Sequence, residues 1–153
     1  MTHLEKLLHY CGYQERCLME VREKMETLEI PKDDQETMVK YLTAHHFLNQ
    51  ERFAKSYAGG KFRIKQWGKI KIIQALKQKQ ISPELISIAL KEIPDSDYID
   101  TIEKLALKKA NTSKPAKNDY EKTIKIAYYL AQKGYENDLC MHAAKKTILN
   151  NLQ

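Results

Sequence analysis

The chain has 153 residues, 30% charged and 42% hydrophobic, with 26 Lys and Arg against 20 Asp and Glu for a net charge of +6. No run of about 18 apolar residues is present, so no membrane span is expected. The opening Met1-Thr2-His3-Leu4-Glu5-Lys6 has no basic patch leading into an apolar stretch, so no secretory signal is expected either.

Helical periodicity runs through almost the whole sequence, and no segment alternates apolar and polar residues between strand-type turns. The spacing predicts helices over 12–28, 35–46 and 50–60, where Met38, Leu42 and His45 follow i, i+4, i+7 and Gly59-Gly60 reads as a helix end and flexible joint. Further helices are predicted over 66–79, with Gly68 inside the helix for close approach of another helix, and over 84–92 and 96–109. Ser82-Pro83-Glu84 reads as an N-cap followed by proline at the first helical position. Lys108–Lys117 is the most linker-like stretch. Helices over 119–133 and 137–151 complete the chain, the former opened by Asn118 with Glu121 three residues on, similar to a capping box.

These helices repeat. Val21, Met25, Ile30 and Pro31 align with Ile72, Leu76, Ile81 and Ser82 at an offset of 51, and Ile72, Leu76 and Ile81 align with Ile126, Leu130 and Tyr135 at 54. Glu36 and Leu42 align with Glu84 and Leu90 at 48, which reads Lys32-Asp33-Asp34 as a three-residue extension of the first inter-helix loop. Three units of three-helix type are therefore expected, at 1–61, 62–112 and 113–153, with two helices recognisable in the last. Units this small bury little core alone and must stack.

The charge is not evenly spread. Residues 1–51 carry 6 bases and 10 acids, whereas 52–83 carry nine bases (Arg52, Lys55, Lys61, Arg63, Lys65, Lys69, Lys71, Lys77, Lys79) and no acid. Like charges without counter-charge repel one another unless a polyanion or acidic surface is the partner. Phe53, Tyr57, Phe62 and Trp67 are interleaved there. Phe53 and Tyr57, one turn apart, read as core, and Trp67 reads as a staple between units or part of the binding surface.

No phosphate-binding glycine loop, dinucleotide fingerprint, His-Glu-x-x-His or paired Cys-x-x-Cys occurs, so no enzyme activity, cofactor or metal is expected. Cys11, Cys17 and Cys140 are too few and too irregular for a disulfide framework, and they read as small buried thiols in a reducing cytoplasm.

Several segments resemble the RecX regulatory proteins. Arg16-Cys17 with Glu20, Val21 and Met25 is similar to that family's Arg-Ser-x-x-Glu-Leu-x-x-x-Leu helix, with Cys17 in place of Ser. Phe47-Leu48-Asn49-Gln50-Glu51-Arg52-Phe53-Ala54-Lys55-Ser56-Tyr57 resembles its loop and Arg-Phe-Ala-x-x-Tyr helix, with Asn49-Gln50 replacing part of the acidic loop. Lys65-Gln66-Trp67-Gly68-Lys69-Ile70-Lys71-Ile72 and Tyr129-Leu130-Ala131-Gln132-Lys133-Gly134-Tyr135 resemble its Lys-x-x-Gly-x-x-Arg/Lys-Ile and Tyr-Leu-x-x-Arg-Gly-Phe stretches. The resemblance implies an all-α fold, an elongated, curved array of tandem three-helix repeats. It also implies a monomer that binds RecA filaments on DNA and inhibits strand exchange and ATP hydrolysis. The expected binding residues are Arg52, Lys55, Lys61, Arg63, Lys65, Trp67, Lys69 and Lys71, with a weak direct DNA contact. The alternative is a helical module that uses the basic 52–83 surface to bind nucleic acid directly.

Overall fold

In a computed structural model that describes residues 1–151, nine α-helices and no strand are present among the described residues. They are α1 (His3–Tyr13), α2 (Leu18–Thr27), α3 (Lys32–Ala44), α4 (Gln50–Lys65), α5 (Lys69–Gln78), α6 (Pro83–Leu90), α7 (Asp95–Thr112), α8 (Asp119–Gln132) and α9 (Asn137–Asn151). Among the described residues no helix is long and apolar enough to cross a membrane.

The expected repeat is visible as one turn built three times. The Ile30, Ile81 and Tyr135 amides donate to the Met25, Leu76 and Leu130 carbonyls, and the residue before each (Glu29, Gln80, Gly134) has a positive φ. A second bond accompanies each, from the Glu29, Gln80 and Gly134 amides to the Glu26, Lys77 and Ala131 carbonyls. Together these pairs close the last turns of α2, α5 and α8 as Schellman motifs. The next helix then opens with Gln35, Ile86 and Cys140 donating to Pro31, Ser82 and Glu136, at the same offsets of 51 and 54. This corrects the expected loop extension: Lys32-Asp33-Asp34 form the first turn of α3, where the two carboxylates favour the helix dipole.

Other expectations change, and residues 108–112 of the linker-like Lys108–Lys117 stretch lie within α7. The helix expected over 12–28 begins at Leu18, and a separate α1 precedes it, opened by Thr2, whose Oγ1 accepts from the Glu5 amide while Glu5 Oε2 accepts from the Thr2 amide, both at 3.1 Å. Gly59-Gly60 lie inside α4, which continues to Lys65; Gly59 is buried where the Arg63 side chain folds over it. Gly68 stands immediately before α5 rather than within it.

Two compact units share the chain, the first comprising Met1–Ala58 and Ala75–Leu90, the second Gly59–Gln74 and the chain from Lys91 on. In the first, Leu7, Cys11, Val21, Met25, Ile30, Leu42 and Leu48 form a buried cluster lined by Leu8, Leu18, Leu28, Met38 and Val39. The buried Gln35 amide donates to the Ile30 carbonyl (2.8 Å) and Glu26 Oε1 (2.9 Å), so its burial costs little. In the second unit α7, α8 and α9 pack on one another, burying Ile102, Leu105, Ala106, Ile126, Leu130, Cys140 and Ala144. All three cysteines are free and buried, and burial raises each thiol pKa, that of Cys140 to about 11.

Candidate functional site

The two units divide the basic block of 52–83 between them, and they treat its charges differently. The first unit holds ten Lys and Arg against eleven Asp and Glu, and the second holds sixteen against nine, net charges of −1 and +7.

In the first unit Arg52, Lys55 and Lys79 of the block find carboxylates. Arg52 Nε donates to both oxygens of Glu15 (2.8 and 2.9 Å), and Lys55 pairs with Glu51 one turn earlier (3.2 Å). Lys79 pairs with Glu20 (3.4 Å) and lies 5.9 Å from the centre of the Tyr57 ring. Glu20 also accepts from the Cys17 amide at 3.0 Å, closing the start of α2. Burial opposes ionisation of Glu20, but the Cys17 amide and the Lys79 ammonium outweigh it and lower its pKa.

In the second unit two lysines stand over the single tryptophan, and one of them belongs to a wider group of lysines. Lys61 Nζ lies 4.9 Å and Lys71 Nζ 4.7 Å from the centre of the half-buried Trp67 ring, an ammonium–indole arrangement that favours cations. Lys65 is exposed at the end of α4, and its carbonyl accepts from Lys133 Nζ at 3.1 Å. Burial lowers the Lys133 pKa, and the ammonium groups of Lys71, Lys108 and Lys65 lower it further. Among the described residues Lys65, Lys71, Lys108 and Lys133 have no carboxylate partner. Lys69 is placed apart, 4.6 Å from the Tyr98 ring centre and 3.9 Å from Asp95. Arg63 is exposed one turn beyond Gly59.

A rigid backbone junction holds this arrangement. Gly68 donates its amide to the Lys133 carbonyl (2.8 Å), and Ile70 donates to the Gly134 carbonyl (2.9 Å). A Cβ on Gly68 would stand 2.3 Å from the Gly134 carbonyl carbon, so only glycine permits the approach. The sequence expectation of close approach at Gly68 holds, although the neighbour is the turn between α8 and α9 rather than a helix. The Lys69 amide donates to the Tyr98 hydroxyl (2.9 Å), which donates onward to Glu136. Burial, and secondly the Glu136 carboxylate, push the Tyr98 pKa well above its ordinary range and keep that donor protonated. Tyr135 donates to the Gln66 carbonyl at 3.0 Å. The Gly68, Lys69 and Ile70 amides, which the helix does not satisfy internally, are thereby used.

Phe53 and Phe62 are buried and Tyr57 half-buried, as core residues, with the Phe53 and Tyr57 rings 5.7 Å apart. Of the eight residues singled out in the sequence, Lys61, Lys65, Trp67 and Lys71 share the lysine cluster. Arg52 and Lys55 belong to the first unit, Lys69 is turned to Tyr98 and Asp95, and Arg63 folds over Gly59. Lys108 and Lys133 were missed; the basic position in Tyr129–Tyr135 is the signal that points to Lys133. Four lysines with no paired acid, Lys71 among them over an indole, present a cation-rich surface suited to a polyanion or an acidic protein face. No group of three or more His, Cys, Asp or Glu among the described residues is placed to hold a metal ion.

Family models for the second and third three-helix domains of RecX match residues 49–90 and 95–143, which correspond to α4–α6 and to α7 into α9. Regulatory protein RecX of Clostridium perfringens (strain 13 / Type A) is 32% identical over 133 residues, covering 86% of this chain and 61% of that protein. Regulatory protein RecX of Leuconostoc mesenteroides is 28% identical over 144 residues, covering 94% of this chain and 54% of that protein. The chain thus spans between half and two thirds of the length of these relatives. The crystal structure of RecX from Lactobacillus salivarius is similar with a TM-score of 0.84 and 25% identity, over 95% of this chain and 94% of that one. A second, of regulatory protein RecX, has a TM-score of 0.79 at 24% identity, over 89% of this chain and 66% of that one.

Proposed function

The chain belongs to the RecX family of regulatory proteins, and on that premise we propose that it binds RecA filaments on DNA and restrains their recombinase and ATPase activity. The observation that carries this reading is the lysine cluster of the second unit, in which Lys65, Lys71, Lys108 and Lys133 lack a carboxylate partner among the described residues and Lys71 lies over Trp67. In the proposal the protein acts as a cytoplasmic monomer without a catalytic role, and Lys61, Lys65, Lys71, Lys108 and Lys133 face the filament. Arg63 and Lys69 contribute at the margin, and Arg52 and Lys55, already paired with acids, contribute least.

Co-sedimentation with RecA filaments assembled on single-stranded DNA tests the reading. The protein is expected in the pellet with filament and in the supernatant with RecA alone at the same salt. Recovery in the supernatant in both cases would contradict it. The same cluster also favours a second reading, direct binding of nucleic acid. That reading predicts affinity for bare duplex whose logarithm falls with log salt by about 0.9 per phosphate neutralised. Absence of binding to bare DNA at low salt would remove this second reading and leave the first standing.

A further inference from the structure

The first unit is slightly acidic, yet one place on it is cationic. A cavity of about 370 Å³ between α1 and the last turn of α2 is lined by Met1, Lys6, His9, Tyr10, Tyr13, Arg16 and Lys24, without an acid. That volume is in the range of small-ligand pockets. Arg16 is pre-set within it: its Nε donates to the Tyr10 carbonyl (3.1 Å), and its guanidinium carbon lies 3.8 Å from the centre of the Tyr10 ring. Lys24 Nζ lies 5.4 Å from the same ring centre. Neither Arg16 nor Lys24 nor Lys6 has a carboxylate partner among the described residues, and the terminal guanidinium nitrogens of Arg16 carry no hydrogen bond.

This arrangement is not for want of acids. Glu20, which acts electrostatically on Tyr10, is committed to the Cys17 amide and Lys79, and Glu15 is committed to Arg52. Arg22, two positions before Lys24 in α2, takes Glu36 at 2.7 Å. Arg22, Arg52, Lys55 and Lys79 of the same unit are each paired with a carboxylate, while Lys6, Arg16 and Lys24 converge on an open cavity. An exposed aromatic ring, Tyr13, 77% accessible, stands at its edge.

We propose that this pocket binds a nucleotide unit, its phosphate held by Arg16, Lys6 and Lys24 and its base laid against Tyr13. A guanidinium fixed at Nε presents its free nitrogens to phosphate oxygens in the paired geometry that arginine favours, and the two ammonium groups add charge. Tyr13 supplies the apolar face that a bare anion does not need and a base does. The unit can come from a free nucleotide or from a single strand, which offer the same chemistry. The inference does not depend on filament binding.

Titrations of the full chain with AMP, inorganic phosphate and a short single-stranded oligoadenylate, followed by amide resonances, test it. AMP is expected to move the Tyr10, Tyr13 and Arg16 resonances and to bind more tightly than phosphate. Tyr13→Ala should reduce AMP affinity to that of phosphate, and Lys6→Glu with Lys24→Glu should weaken both by about tenfold or more. An oligonucleotide that outcompetes AMP and is lost in the same double variant identifies a strand as the source, and equal affinities identify a free nucleotide. Lys71→Glu with Lys133→Glu should leave the AMP shifts unchanged, which separates this pocket from the Trp67 cluster. Resonances that stay put at millimolar AMP, or shifts that survive charge reversal at Lys6 and Lys24, would overturn the proposal.

Discussion

At Gly68 the absent Cβ lets the start of α5 bond directly to the turn after α8, through Gly68 to Lys133 and Ile70 to Gly134. Gly68→Ala places a methyl group against backbone that cannot yield, so a stability loss of about 2 kcal/mol or more is expected in thermal or urea unfolding. A variant that unfolds like the parent would show that the contact is looser than described. Glu20 makes a different kind of prediction. Its folded pKa lies below the ordinary value, so its contribution is present above that value and lost as pH falls through the lowered one. Glu20→Gln should therefore cost about 1 kcal/mol at neutral pH through the weakened Cys17 and Lys79 contacts, with the gap closing in acid, below the ordinary carboxylate range. Urea unfolding of both proteins at the two pH values measures it, and a gap that is constant with pH would contradict the assignment.

At the scale of elements, the repeat was legible because a Schellman turn leaves a regular trace: an apolar residue at C3 and another five residues on, as in Met25–Ile30, Leu76–Ile81 and Leu130–Tyr135. The left-handed residue between them left no such trace, because glycine occupies it only at Gly134, with Glu29 and Gln80 bearing the strain elsewhere. Gln80→Gly should relieve that strain and stabilise the protein by about 0.5–1 kcal/mol, read as a raised Tm with unchanged helical content. A lowered Tm would mean that the Gln80 side chain contributes more than its backbone costs. Other elements were less legible. Gly59-Gly60 carried a stop signal that the buried packing of α4 overrides. The offset of 48 came from matching polar and apolar residues across α3 and α6, whereas the backbone bonds keep 51. For α1, Thr2 and Glu5 held a readable capping box, but only Leu7 and Cys11 are buried along it, too few to impose a periodicity.

For the whole molecule, the net charge of +6 conceals a first unit at −1 and a second at +7. The sequence located the basic block but could not sort its members, because pairing with Glu15 or Glu20 depends on contacts 37 and 59 residues away. The same reason hid Lys108 and Lys133, which only folding brings together with Lys65 and Lys71. The central claim is that the unpaired lysines of the second unit, and not the paired bases of the first, engage the filament. The measurement that tests it most directly is a RecA ATPase titration on single-stranded DNA with the parent protein, a Lys65→Glu, Lys71→Glu, Lys133→Glu variant and an Arg52→Glu, Lys55→Glu variant of matched helical content. The first variant is expected to lose inhibition by about tenfold or more in the concentration required, while the second stays within about threefold of the parent. Equal inhibition by all three proteins, or loss confined to the Arg52 and Lys55 variant, would contradict the account.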